Sequence, residues 1–82
     1  MITAEQCRAA RAWLDMTQHE LAVRADVSIS TIRDFESGQR QPIKNNLLAI
    51  KTVFNQEGIY CLSDGTGLSS DRVNYPSTGD RA

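Results

Sequence analysis

The sequence predicts a mostly α fold: four helices over residues 1–58, then a short β-strand or hairpin tail over residues 59–82. Three observations carry this. Apolar residues recur at helical spacing in four separate stretches before Gly58. Residues that start or stop helices stand between those stretches: Thr3, Thr17, Ser28, Gly38, Pro42 and Gly58. After Gly58 the pattern gives way to β-type residues and turn formers.

Thr3 is positioned to cap a helix over 4–14, with Cys7, Ala10 and Leu14 as the inward stripe and Trp13 packing partly beside it. Asp15-Met16 ends that pattern. Thr17-Gln18-His19-Glu20 is a capping box, in which the Thr17 hydroxyl accepts from the Glu20 amide and the Glu20 carboxylate accepts from the Thr17 amide. Met16 and Leu21 form a hydrophobic staple around it. The helix that follows spans 18–25, with Leu21, Ala22 and Ala25 inward, and Asp26-Val27 is a tight turn. Ser28 caps the third helix, 29–36, whose inward residues are Ile32 and Phe35, and Gly38 supplies the left-handed residue that closes it. Gln39-Arg40-Gln41-Pro42 reads as an extended connection, because proline disfavours helix at the residue before it. The fourth helix spans 44–56, with Leu47, Ile50, Val53 and Phe54 inward and Gly58 at its end. Ile59 to Leu62 is a strand, residues 63–67 form a turn, and Leu68 to Val73 returns as a second strand. The polar segment from Asn74 onward is expected to fray.

Eighty-two residues hold one small domain and leave no room for a two-domain enzyme with a wide cleft. No apolar run approaches the roughly 18 residues of a membrane span. The first residues have neither a basic start nor an apolar stretch, so a signal peptide is not expected and an intracellular protein is. Cys7 and Cys61 form no CxxC pair and lie far in sequence from His19. They read as buried thiols in a reducing compartment rather than metal ligands, and no cofactor is expected. Nine basic side chains against ten acidic ones give a net charge of −1. Bulk charge therefore would not hold the protein to nucleic acid, and the placement of the cations has to decide. The most basic useful window is Arg33 to Lys44.

Residues Gln18 to Phe35 make two short helices joined by a tight turn, with small Ala22 where the helices cross and Val27 and Ile32 closing the contact. The second helix turns Ser30, Thr31, Arg33 and Asp34 outward. Read alone, each outward residue has an ordinary alternative. Gln18 is a good helix former in a first turn, Arg33 and Asp34 suit a solvated face, Arg40 and Lys44 flank a loop, and His19 suits a surface. No nucleophile–base pair, phosphate-cradling glycine loop or metal cluster appears, so an enzyme is not expected.

Taken together, Arg8-Ala9-Ala10-Arg11, Thr17-Gln18-His19-Glu20-Leu21-Ala22, Val27-Ser28-Ile29-Ser30-Thr31-Ile32 and Phe35-Glu36-Ser37-Gly38-Gln39-Arg40-Gln41-Pro42 stand at spacings that resemble one family. It is the Cro/repressor-type, or xenobiotic-response-element, helix-turn-helix family of phage repressors and small bacterial regulators. The resemblance covers residues 2 to about 56. It implies a transcriptional regulator, by expectation a repressor, that binds double-stranded operator DNA as a homodimer with helix 29–36 in the major groove. It also implies a cytoplasmic, nucleoid-associated protein of a bacterium or phage. Carried over by position, Gln18 clamps a phosphate and braces the reading helix. Ser28, Ile29, Ser30, Arg33 and Asp34 face the groove, Arg33 toward guanine and Asp34 toward cytosine; Ile29 meets a thymine methyl or is simply exposed. Gln39, Arg40 and Lys44 touch the backbone. Arg11 and Glu36 pair to tie the first helix to the reading helix. Where the family has a turn glycine, this chain has Asp26, for which a positive φ is expected. Where the family adds a fifth helix, this chain has its strand-like tail. Ile59 to Leu62, read as a strand without a long partner in its own chain, is then expected to support self-association. The alternative reading is an antitoxin-like module that neutralises a protein partner through residues 59–82 and regulates its own promoter.

Overall fold

The computed structural model describes residues 1–71, in the order α1 (Ala4–Leu14), α2 (Gln18–Ala25), α3 (Ile29–Glu36), α4 (Lys44–Gln56), β1 (Ile59–Cys61) and β2 (Leu68–Ser70). All four helices have the bounds the sequence predicts. The strands are shorter than expected: β1 stops before Leu62, and β2 stops at Ser70. The end of the expected strand at Val73 and the segment expected to fray from Asn74 lie outside the described residues.

The caps explain where the helices start. Thr3 and Thr17 each make a full capping box, with Gln6 and Glu20 respectively. The Ser28 hydroxyl accepts from the Thr31 amide at 3.1 Å. Helix α4 has no side-chain cap; Ile43 precedes it with extended backbone, just after Pro42. Three helices end alike. The Asp15 and Met16 amides turn back to the Ala12 and Arg11 carbonyls, those of Asp26 and Val27 to Val23 and Ala22, and those of Gly38 and Gln39 to Phe35 and Asp34. This is the Schellman pattern, which needs a left-handed residue at the pivot. Gly38 supplies it at φ 83° without a Cβ penalty, whereas Asp15 (φ 54°) and Asp26 (φ 57°) adopt it as non-glycine residues. The expected positive φ at Asp26 is present, and Asp15 repeats it.

The core joins Cys7 and Ala10 of α1, Leu21, Ala22 and Ala25 of α2, Ile32 and Phe35 of α3, and Leu47, Ile50, Val53 and Phe54 of α4. Fully burying residues such as Leu21, Ile32, Ile50 and Phe54 contributes about 1.5–3 kcal/mol each. Ile2 and Ile59 complete the core from outside the helices. Trp13 does not pack as expected and is 53% exposed. Helix α1 buries Gln6, Cys7 and Ala10 and half-buries Leu14, so by its last turn the inward stripe has passed Trp13 on the side of residue 14.

The tail is a docked hairpin. Strands β1 and β2 pair antiparallel, Ile59 opposite Ser70 and Cys61 opposite Leu68, so the chain returns at Leu68 as a second strand, as the sequence predicts, and β1 has a short partner within its own chain. Both strands are three residues long, and the pairing depends on contacts that the strand's own sequence does not display. Buried Gln6 provides one. Its amide donates to the carbonyls of Leu62 (3.0 Å) and Gly67 (2.9 Å) and accepts from the Thr3 amide, pinning the hairpin to the start of α1. Gly58 suits the point where α4 meets β1: its φ of 81° is left-handed backbone that favours glycine, and an added Cβ would press on the end of the Asp71 side chain.

Candidate nucleic-acid interface

Helix α3 divides its residues sharply. Ile32, Phe35 and Glu36 face inward and are buried. Ser28, Ile29, Ser30 and Arg33 are exposed along the opposite side, while Thr31 and Asp34 are half-buried at its edge. The three hydroxyls at the helix start form one cluster, Ser28 Oγ lying 3.0 Å from Ser30 Oγ and 2.8 Å from Thr31 Oγ1. Ser28 is thus already engaged as a cap, and Ser30 is the more outward of the pair.

Glu36 fixes this helix to the rest of the fold. Only 4% of the residue is exposed, and each carboxylate oxygen receives two donors. Oε1 accepts from Arg11 Nη2 at 2.7 Å and Gln18 Nε2 at 3.0 Å. Oε2 accepts from Arg11 Nε at 2.7 Å and the Cys7 thiol at 3.1 Å. The Arg8 guanidinium bonds the Glu36 main-chain carbonyl, and Arg11 Nη1 reaches the Met16 carbonyl at 3.0 Å. A single carboxylate therefore ties α1 and α2 to α3. Burial pushes the Glu36 carboxyl up, but the bonds from Arg11, Gln18 and Cys7 outweigh it and hold the group below the usual carboxylate range. Burial pushes the Cys7 thiol far up, reinforced by the Glu36 carboxylate that accepts its proton.

Gln18 sits half-buried in the first turn of α2 with one amide hydrogen on Glu36. Its second amide hydrogen remains available. Around it, Thr17 and Glu20 satisfy each other's main-chain amides, leaving the amides of Gln18 and His19 as first-turn donors without a bond among the described residues. This is a suitable environment for a phosphate oxygen. The bonds from Thr17 hold the Glu20 carboxyl below its ordinary range. His19 is exposed, as expected.

Gln39 and Arg40 are exposed in the connection after α3, their amides bonded to the Asp34 carbonyl at 2.9 and 3.2 Å. Arg40 and Asp34 line a cleft between α3 and this connection, together with Ser30, Thr31, Ile43 and Asn46. Lys44 is exposed but lines a different groove, shared with Leu48 and Lys51 on the outer side of α4. The structure thus brings Ser30, Asp34 and Arg40 to one cleft and sets Lys44 apart from it. Asn46 is the α4 side chain in the cleft, and the sequence reading missed it. Its only signal was its place in the first turn after Pro42.

The charges are segregated. Arg11 is paired with Glu36 and Arg24 with Glu57, at 2.7 and 2.9 Å. Among the described residues, Arg8 bonds only a main-chain carbonyl, and Arg33, Arg40, Lys44 and Lys51 have neither a carboxylate partner nor a side-chain hydrogen bond. The last four lie on α3, on the connection after it and on α4.

A family model described as helix-turn-helix matches residues 8–57, more than half of the chain. No curated protein matches it. The chain belongs to this helix-turn-helix family, of the Cro/xenobiotic-response-element type, whose members are DNA-binding transcriptional regulators and typically not enzymes. Among the described residues, no helix is long and apolar enough to cross a membrane.

Proposed function

We propose that the protein is a repressor that binds operator DNA as a homodimer in a bacterial cytoplasm, residues 1–58 forming the DNA-binding unit and α3 entering the major groove. One observation carries this reading: the outward side of α3 offers Ile29, Ser30 and Arg33 with no part in the core or the Glu36 network, while its inward side is fully used. Arg33 is the candidate for bidentate contact with guanine, Asp34 for cytosine N4, and Ile29 for a thymine methyl. Ser28 and Ser30 supply hydroxyls at the groove. Gln18, Gln39, Arg40 and Lys44 set the position on the backbone.

Selection of bound duplexes from a random pool, followed by mobility shifts on the selected site, tests this. A dimer selects two half-sites roughly 34–36 Å apart. Arg33→Ala weakens binding by about 1–3 kcal/mol and relaxes preference at one base position. Arg40→Ala weakens all sequences alike and lowers the salt slope by about one unit for each protomer bound. If Ser30→Ala and Arg33→Ala both keep wild-type affinity and base preference, α3 is not the reader. Capture of a protein partner through residues 59–82 then takes its place.

A further inference from the structure

We propose that the groove on the outer side of α4 binds a small apolar carboxylate, its hydrocarbon lying against Leu47 and Leu48 and its carboxylate held by Lys44 and Lys51. The groove encloses about 220 Å³ and is lined by Met1, Ile2, Lys44, Leu47, Leu48 and Lys51. Residues 44, 48 and 51 share one face of the helix, with the lysines roughly 10 Å apart along its axis. Leu48 between them is 50% exposed and is not part of the core. Lys51 is half-buried, yet it has no ion pair or hydrogen bond among the described residues. A lysine can lay its stem along apolar surface while its ammonium stays at the rim, so Lys51 offers a cation without a counter-charge at the edge of an apolar groove, where an anion with a hydrocarbon tail can meet both. No acidic residue lines the groove.

The lining selects the ligand. An inorganic anion would leave the apolar floor bare, and a neutral hydrocarbon would leave the lysines unanswered. The volume lies below the roughly 300 Å³ where pockets for drug-sized ligands begin, so the ligand is a fragment such as a medium-chain fatty acid. A second copy of this chain fits the face poorly. Packing α4 on its own symmetry mate sets lysines against lysines with no carboxylate lining the groove to separate them. The consequence for DNA rests on the reading above of Lys44 as a backbone contact: a carboxylate on Lys44 withdraws that cation from phosphate and adds a negative charge beside it.

The test uses the full chain and octanoate, with acetate and octanamide as controls, followed by amide resonances without DNA. Octanoate should give saturable shifts confined to Ile2 and the 44–51 segment, with acetate and octanamide at least about ten-fold weaker. Lys51→Gln should weaken octanoate by a similar factor while leaving DNA affinity unchanged, and Leu48→Glu should abolish octanoate binding. Absence of saturable shifts, shifts elsewhere, or equal binding of octanamide overturns the proposal. So does dilution of ligand-free protein that moves the same resonances, which would make the face a self-interface. In a separate arm, octanoate should weaken operator binding by wild type and not by Lys51→Gln. Failure of that arm alone removes the coupling through Lys44 and leaves the ligand site standing.

Discussion

Replacing Arg11 with methionine removes both guanidinium bonds from a carboxylate that is only 4% exposed. Gln18 and Cys7 remain, one neutral donor on each oxygen, and neither carries charge. Breaking one side of a buried pair costs about 3–5 kcal/mol, because the remaining charge stays out of water uncompensated. A domain of 82 residues has roughly 4–12 kcal/mol in total, so the loss is about a quarter of it or more. With a urea slope of about 1.5 kcal/mol per molar, the unfolding midpoint falls by roughly 2–3 M. Glu36→Leu should cost less, about 1–3 kcal/mol, because the Arg11 side chain is 20% exposed and its guanidinium can turn to solvent. The double variant Arg11→Met/Glu36→Leu buries apolar groups in place of ions and should lie within about 2 kcal/mol of wild type. Urea unfolding of all four proteins, followed by circular dichroism, gives the coupling energy directly. A coupling below about 1 kcal/mol, the range of exposed pairs, would refute the argument. Acid supplies a second check. The folded state holds the Glu36 carboxyl below its unfolded range, so its stabilisation is complete above that range and is lost as pH falls through the lowered folded value. Wild type should therefore lose more stability than the double variant between about pH 5 and pH 3.

Asp26→Gly and Asp15→Gly should each stabilise the protein by up to about 1 kcal/mol in thermal unfolding, since neither aspartate side chain makes a bond among the described residues that would offset its left-handed backbone; a clear loss would reveal a local cap. Gln6→Ala should cut the hairpin's tether to α1 while the Leu62 and Gly67 carbonyls keep their main-chain donors, costing about 0.5–1.5 kcal/mol for each lost bond and raising amide exchange in residues 59–71 above that in α2 and α4; uniform exchange would show that the hairpin does not depend on this amide. Native Cys7 should resist iodoacetamide at pH 8 and react only at the rate of opening, because burial disfavours its thiolate; alkylation as fast as in the unfolded chain would contradict its place in the Glu36 network.

The helices were legible because their determinants are local. Thr3, Thr17 and Ser28 act within one turn, Gly38 acts on its own carbonyl neighbours, and the apolar spacing of 47, 50 and 54 reports a face directly. What escaped was non-local. Gln6 reads as a polar residue in a first turn, yet it is buried because its partners arrive 56 and 61 residues later. Ile2 and Ile59 enter the core only once α4 and the hairpin are assembled. Asp15 differs from Asp26 in having no turn glycine to be compared with, so its left-handed backbone was invisible. At the interface, resemblance supplied the link of Gln18 and Glu36 to the reading helix, and the structure adds the Cys7 thiol as the fourth donor to the carboxylate. Lys44 and Asn46 stand in the first turn of α4 about 200° apart, so they face different clefts, but periodicity alone did not say which side of that turn meets α3.

The net charge of −1 is a poor guide to this surface, for a reason the pairing makes plain. A cation in a salt bridge adds little to the field outside, since its partner cancels it within a few ångströms, well inside a Debye length of roughly 8–10 Å. Arg11 and Arg24 are cancelled in this way by Glu36 and Glu57. Those pairs serve the fold, one joining α1 to α3 and the other joining α2 to the residue that ends α4. Arg33, Arg40 and Lys44 escape cancellation by any ion pair among the described residues; Arg33 and Arg40 stand on or just after the helix whose outward side has no structural duty, and Lys44 opens α4. Counting charges over the chain averages these two populations and returns nearly zero. Sorting them by partner separates cations that hold the helices together from cations that have no ion pair among the described residues and that the proposed reading sets against DNA. On the proposed reading, that division, rather than any excess of basic residues, supplies the contacts to DNA in a chain of net charge −1.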